Sequence, residues 1–207
     1  MGKTTVGGML GHLGVPVHDS DAAVHGLLKH KSPARPALAA LLPYYEYPDL
    51  YERKSYDYKR KALGDLIFND AYLRQEIENI LHPFVHADQD EFIAQHKRKG
   101  YEMVCLDIPL LFETHADQRV DYTITVSAPA FLQRKRTLSR PGMTPEKLNA
   151  ILERQMPDIE KRQRSDYVIQ TGLNRAHSMR ALKGILVDIR EKSGLIPEPD
   201  LEEYEAV

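Results

Sequence analysis

The chain has 207 residues, enough for one domain or for one domain with an inserted lobe. Its net charge of −2 gives no general reason to bind nucleic acid or a membrane, so any basic site must be local. The single cysteine, Cys105, excludes a disulfide framework, and no apolar run reaches the roughly 18 residues of a membrane span. With no signal peptide before the first helix, we expect a cytoplasmic protein.

The first motif in the chain is Gly2-Lys3-Thr4, the end of the phosphate-binding pattern G-x-x-x-x-G-K-[ST]. In a complete loop, backbone amides surround the phosphates, the lysine contacts the transferred phosphate, and the hydroxyl binds Mg²⁺. Met1 stands where the last variable residue belongs, so the first half of the pattern lies outside the printed sequence. Taken alone, the motif is weak evidence, and a chance Gly-Lys-Thr is the alternative interpretation.

Apolar residues at helical spacing predict a helix over 4–13, which Gly14 ends. A short strand over 15–17 then leads into His18-Asp19-Ser20-Asp21. A second helix follows over 22–29, with Asp21 placed as its N-cap. Such a cap is the structural alternative to any catalytic role for this aspartate.

Residues 31–100 contain no clear strand and predict a helical lobe. Its helices are expected at 37–42, 58–68 and 72–97, and Pro83 should break or kink the last of them.

Strands alternate with helices again in the second half of the chain. Strands are expected at 101–108, 122–126 and 167–169, and helices at 131–138, 144–156 and 174–191. Thr144 is the expected N-cap of its helix, with Pro145 in the first position. The acidic segment 193–207 is expected to be disordered.

This alternation predicts an α/β fold with a mostly parallel sheet. Ligands of such sheets gather where the strands end. The segments that follow the predicted strands include Asp19-Ser20-Asp21 and Asp107-Ile108-Pro109, and Gly2-Lys3-Thr4 would follow a strand upstream of them. The sequence therefore predicts one site at the carboxyl ends of the strands.

Phosphoryl transfer is the chemistry that these segments favour. Lys3 is suited to neutralise the β and γ phosphates, and Thr4 to bind Mg²⁺. Asp21 is suited to accept a hydroxyl proton or to support the metal. Arg136 and Arg140 lie four residues apart before a Pro-Gly turn, where they form either a phosphate clamp or a solvated basic face. Neither the zinc pattern H-E-x-x-H nor the hydrolase pattern G-x-S-x-G is present.

Several segments together resemble the dephospho-CoA kinase family of P-loop kinases. They occur in the family's order and spacing over about residues 1–190. The segments are Gly2-Lys3-Thr4-Thr5-Val6, Leu13 to Asp21, Arg60 to Phe68, Ile80-Leu81-His82-Pro83, Asp107 to Glu113, Lys135-Arg136 with Arg140, Gln155, and Ser165 to Ile169.

The resemblance implies an ATP- and Mg²⁺-dependent enzyme that phosphorylates the ribose 3′-hydroxyl of dephospho-CoA. By position, Asp21 matches the catalytic carboxylate, Lys3 the P-loop lysine and Thr4 the Mg²⁺ ligand. The residues expected at ATP are Gly2, Lys3, Thr4, Thr5, Arg136 and Arg140. Those expected at dephospho-CoA are Asp21, His82, Pro109, Leu110 and Leu111.

The resemblance also implies a P-loop kinase fold: a parallel sheet flanked by helices, with a helical substrate lobe and a small lid. The implied single domain spans 1–192, with its core in 1–29, 101–138 and 158–192, the CoA-side lobe in 30–100 and the lid in 139–157. A monomer or weak homo-oligomer that binds small molecules, without nucleic acid or membrane, is expected.

Three departures from the family pattern accompany the resemblance. The opening strand and the first half of the P-loop are missing, so we expect Met1 to be an internal methionine and ATP binding to be weak without the upstream part. His25 stands where family members often have arginine, and Thr171 where asparagine is frequent. Two alternatives therefore stay open: another small-molecule P-loop kinase, and a catalytically silent CoA- or nucleotide-binding protein.

Overall fold

The structure, a computed structural model, describes residues 2–195 except the side chain of Asn69. Contacts between Cα atoms divide the chain into two compact units. The first unit joins Met1–Val15 to Leu110–Val207, and the second unit is Pro16–Pro109. Part of the segment predicted to be disordered, 196–207, lies outside the described residues.

The second unit is built on a parallel pair of strands, β1 (Val17–Asp19) and β2 (Cys105–Asp107). Their register pairs Val17 with Cys105 and Asp19 with Asp107, so both strands end at the same edge. This confirms the predicted meeting of the two aspartate-containing segments. β2 is shorter than expected: the turn after the preceding helix reaches residue 100, and the Tyr101 amide still donates to the His96 carbonyl at 3.1 Å.

Helices make up most of the second unit. They are α2 (Ser20–Leu27), α3 (Arg35–Leu41), α4 (Arg60–Asn69) and α5 (Ala71–Arg98). Pro83 lies inside α5 without ending it, so of the two predicted alternatives the break is wrong and the kink stays a prediction. The core of the unit is a cluster of buried apolar side chains from α3, α4, α5 and the connections between them, including Leu28, Leu38, Leu42, Leu63, Ile77 and Leu81.

Arg35 is packed over two neighbouring tyrosine rings beside this core. Its guanidinium carbon lies 4.8 Å from the ring centre of Tyr51 and 4.6 Å from that of Tyr58. The two tyrosines also form an isolated antiparallel bridge, and their hydroxyls are 3.1 Å apart. Cation–π contacts and hydrogen bonds thus hold the Tyr- and Pro-rich connection for which no regular element was predicted.

The first unit contains the other parallel pair, β3 (Ile124–Ser127) and β4 (Tyr167–Gln170). The register pairs Ile124 with Tyr167 and Ser127 with Gln170. The helices of this unit are α1 (Lys3–His12), α6 (Ala130–Leu138), α7 (Pro145–Arg154), α8 (Asp158–Arg164) and α9 (Arg175–Lys192). Both strand pairs are parallel and flanked by helices, which confirms the predicted α/β class.

α8 was missed because its sequence, DIEKRQR, has no apolar periodicity and buries no residue. Its first residue, Asp158, instead accepts hydrogen bonds from Ser127 at 2.7 Å and Gln133 at 3.2 Å. By contrast, the Thr144 cap of α7 is confirmed, since its hydroxyl accepts from the Lys147 amide at 3.3 Å. Over residues 2–195, none of the helices combines the length and apolarity that crossing a membrane requires.

Candidate functional site

The start of α1 carries the Gly2-Lys3-Thr4 motif in the first unit. Gly2 has φ 107° and precedes the helix, and its carbonyl accepts from the Val6 amide at 2.9 Å. Because glycine has no capping side chain, the first-turn amides depend on other partners, and helix amides at such a start suit an anion. Thr4 and Thr5 are exposed in this turn, and Lys3 is half-buried.

Gly2 lies very close to the loop after β4. A Cβ atom at this position would meet the Cγ2 and Oγ1 atoms of Thr171, each at 3.0 Å. Thr171 is itself fixed to β3, because its amide and hydroxyl donate to the Ser127 carbonyl at 2.8 and 3.0 Å. Both the positive φ and this close approach require glycine at position 2.

The two predicted arginines come from the end of α6 and the turn after it. Arg136 donates from Nη2 to the Thr171 carbonyl at 3.1 Å, which ties α6 to the same loop. Arg140 is exposed in the turn that Gly142 completes with φ 76°.

These elements surround a cavity of about 410 Å³. The lining residues come from α1 and the glycine before it, from the end of α6 and the following turn, from the β4–α9 connection and from the start of α9: Gly2, Thr5, Val6, Met9, Arg136, Arg140, Thr171, Leu173, Asn174, Arg175 and Ser178. The structure therefore brings Gly2, Thr5, Arg136 and Arg140 together, with Lys3 and Thr4 in the same helical turn as Thr5. We call this space the cationic cavity.

Asp21 lies in the second unit, exposed in the first turn of α2. The sequence placed Asp21 as the N-cap, and this is wrong: the cap is Asp19, whose Oδ1 accepts from the Ala22 amide at 3.0 Å. The helix starts two residues earlier than predicted because Ser20 is already helical. Asp21 is thereby released from capping, and its carboxylate stays in the solvent-facing first turn, where the helix dipole favours a negative charge.

A buried polar network supports this turn from within the second unit. The side chains of His18 and Ser20 are buried, and so is Gln89 of α5. Gln89 donates from Nε2 to the Ser20 hydroxyl at 2.9 Å, which lies 3.4 Å from His18 Nδ1. His18 Nε2 donates to the Asp88 carboxylate at 2.8 Å, since that carboxylate can only accept. The network thus fixes the strand end before Asp21 to α5.

The remaining predicted substrate residues are distributed over both units. His82 is half-buried on α5, with its ring stacked on His86 at 6.1 Å between centroids. Pro109 ends the second unit, and Leu110 and Leu111 begin the next segment of the first unit, in a turn. All three are half-buried.

Glu113 is a further candidate residue. The sequence suggested no individual role for it, although it ends the segment from Asp107 to Glu113 that carries the family resemblance. Its Oε1 accepts from the Lys161 ammonium at 2.7 Å and from the Met156 amide at 2.8 Å. Burial, the largest single influence, disfavours the charge, but the hydrogen bonds from Lys161 and the backbone outweigh it and lower the pKa of Glu113. The pair fixes the segment after Leu111 to the end of α7 and the start of α8.

Arg175, Asn174 and Leu173 of the cationic cavity were also missed. Their signal was their position directly after Thr171 and Gly172, where the sequence departs from the asparagine that is frequent in the family. Arginine at the start of a helix carries no motif of its own. Over residues 2–195, no three His, Cys, Asp or Glu side chains come together as metal ligands.

Comparison with known proteins gives consistent matches over most of the chain. A family model described as dephospho-CoA kinase matches residues 1–176. The dephospho-CoA kinase of Mesorhizobium japonicum is 42% identical over 194 residues, 94% of each chain. That of Novosphingobium aromaticivorans is 44% identical over 93% of this chain and 92% of its own. Among solved structures, TT1252 from Thermus thermophilus matches with a TM-score of 0.70 at 30% identity, covering 90% of this chain and 91% of its own.

Proposed function

Because this chain belongs to the dephospho-CoA kinase family, we propose that it transfers the γ-phosphoryl group of ATP to the ribose 3′-hydroxyl of dephospho-CoA. The products are coenzyme A and ADP. The observation that carries the nucleotide half of this proposal is the cationic cavity, where Gly2 and Thr5 of the α1 start meet Arg136 and Arg140. A polyphosphate matches this combination of helix amides and guanidinium groups.

In this reaction the acceptor oxygen bonds to the γ-phosphorus while the bond to the β,γ-bridging oxygen breaks, and ADP leaves. Asp21 takes the proton of the acceptor hydroxyl. Its carboxylate is accessible for this step because it is exposed in the first turn of α2. Lys3, Arg136 and Arg140 neutralise the charge on the phosphoryl oxygens. The lid is assigned to 139–157, which contains Arg140 and α7.

Mg²⁺ is proposed as the ion that accompanies ATP. Thr4 has an exposed hydroxyl in the first turn of α1, and a hydroxyl with phosphate oxygens forms the all-oxygen ligand set that this cation prefers. When bound, the ion neutralises phosphate charge and orients the phosphate chain.

The acceptor side is proposed from His82, Pro109, Leu110 and Leu111. Each of these side chains is half-buried, and apolar and imidazole groups suit contacts with the adenine and pantetheine parts of dephospho-CoA. The assignment of 1–192 to one domain with a CoA-side lobe in 30–100, the cytoplasmic location and the monomeric or weakly associated state remain predictions.

The direct test measures ADP release with dephospho-CoA as the acceptor, alongside a panel of nucleosides and nucleotides. It uses the printed chain and a version extended upstream to complete the G-x-x-x-x-G-K-[ST] pattern and its strand. We expect ADP release only with dephospho-CoA, and a product with a new ribose 3′-phosphate by ³¹P NMR. A nucleoside that reacts as well as dephospho-CoA would support the alternative of another small-molecule P-loop kinase. Tight binding of dephospho-CoA without ADP release, in both folded forms, would support the alternative of a catalytically silent binding protein.

A further inference from the structure

The cationic cavity contains a third arginine, Arg175, for which the sequence offered no role. It comes from the first turn of α9, whereas Arg136 and Arg140 belong to α6 and the turn after it. No aspartate or glutamate is among the residues that line the cavity. Three arginines that line one space repel each other, and an anion bound there offsets that repulsion.

The backbone that carries Arg175 is held firmly. The Asn174 side chain caps α9 by accepting from the His177 amide at 2.8 Å. Ser178, which is 3% exposed, donates its hydroxyl hydrogen to the Gln170 carbonyl at 3.2 Å. These contacts fix the first turn of α9 against the end of β4. The backbone of Arg175 is therefore held in place, while its side chain stays exposed.

The position of Arg175 in its helix is electrostatically unfavourable without a ligand. The positive end of the dipole of α9 lies at this turn, and the turn contains no acidic residue to offset the arginine. An anion in the cavity is attracted to the arginines and to the positive end of the dipole, and so offsets both repulsions. A multiply charged phosphate chain offsets three arginines better than a single carboxylate does.

We propose that Arg175 binds the phosphate chain of the nucleotide as the third arginine of the cationic cavity. The identity of the nucleotide as ATP rests on the proposed function, whereas the anion contact rests on the cavity alone. The planar guanidinium donates paired hydrogen bonds to phosphate oxygens, so the contact should discriminate triphosphate from the uncharged nucleoside.

The test is a calorimetric titration of the Arg175→Ala variant with ATP in the absence of an acceptor. Adenosine affinity is measured by its competition against ATP. We expect ATP to bind about tenfold more weakly, as for the loss of one charge-assisted hydrogen bond, and adenosine to change less than about twofold. The dependence of ATP affinity on salt should also become shallower. Arg175→Lys keeps the charge and should recover part of the affinity.

Arg180→Ala is the matched control, since Arg180 is exposed on the same helix and does not line the cavity. The variants are made in the version extended upstream, which completes the P-loop. Wild-type ATP affinity in Arg175→Ala, or equal losses for ATP and adenosine, would overturn the phosphate contact, as would an extended protein without substitutions that binds no ATP. If the unmodified protein binds ATP and Arg175→Ala weakens that binding, but dephospho-CoA is not phosphorylated, the arginine contact stands and the proposed reaction fails.

Discussion

The two helix starts that carry the proposed chemistry differ in how their first turns are capped. α1 follows Gly2, which offers no capping side chain, whereas α2 follows Asp19, whose carboxylate accepts from the Ala22 amide. The first arrangement suits an anionic ligand, because helix amides without a side-chain cap attract one. In the second arrangement the Asp19 side chain binds one of the first-turn amides, and Asp21 remains an exposed carboxylate. Capping therefore distinguishes the turn that we propose to bind phosphate from the turn that we propose to carry the catalytic base.

The two turns also differ in what supports them. The turn of α1 begins at Gly2, which lies close to the Thr171 side chain in the lining of the cationic cavity. That of α2 rests on the buried side chains of His18, Ser20 and Gln89. Substitutions near α1 should therefore act mainly on nucleotide affinity, and those below α2 mainly on stability.

The largest expected effect is that of Asp21→Asn. Loss of the proton acceptor should lower kcat by about a thousandfold, with ATP affinity changed less than about twofold. Steady-state kinetics and ATP titration check both values. Asp19→Asn is the matched control, because asparagine caps a helix as well as aspartate and should retain most of the activity. Unchanged turnover in Asp21→Asn would exclude Asp21 as the base.

Gly2→Ala should weaken ATP binding by about thirtyfold, because alanine at φ 107° is strained and its Cβ meets Thr171 at 3.0 Å. The measurement is a titration with ATP. Adding Thr171→Ala removes the Cγ2 and Oγ1 contacts but leaves the strain and the Cβ atom of residue 171 at 3.1 Å, so the double variant should recover only part of the affinity. Full recovery would assign the whole effect to the contact with Thr171, and wild-type binding in the single variant would contradict the role of Gly2.

Gln89→Leu should lower the free energy of unfolding by about 2 kcal/mol, because it leaves the Ser20 hydroxyl without its buried donor. Urea denaturation gives this value. Gln75→Leu is the control, since Gln75 is exposed on the same helix. If the two variants lose equal stability, the buried network does not support the α2 turn as described.

Glu113→Gln should destabilise the first unit by about 1 kcal/mol near neutral pH, since Lys161 loses its charged partner. The pKa of Glu113 is lowered in the folded state, so its carboxylate stabilises the fold above the pKa of the unfolded chain. That stabilisation is lost as pH falls through the folded-state pKa, below the ordinary glutamate value of about 4.3. Denaturation at several pH values should show the wild-type and variant curves converging in acid; a constant difference would contradict this.

Much of the fold could be predicted from local patterns. The spacing of apolar residues located α1, α6 and α9 to within one or two residues, and Thr144 was correctly identified as a cap. α8 could not be found in this way, because it packs through the polar contacts of Asp158 and presents no apolar face. β2 was overestimated because apolar residues beside a strand give the same pattern as the strand itself.

What the sequence determined by itself was the chemistry available: the Gly2-Lys3-Thr4 motif, Asp21 and the pair Arg136 and Arg140, in an order that matches one family. Short-range patterns encode these features, since they depend on residue type and spacing. The tertiary structure decided that Asp19 rather than Asp21 caps α2, and that Arg175 joins the other two arginines at one cavity. Both outcomes depend on where backbone segments end and meet in space, which residue spacing along the chain does not encode.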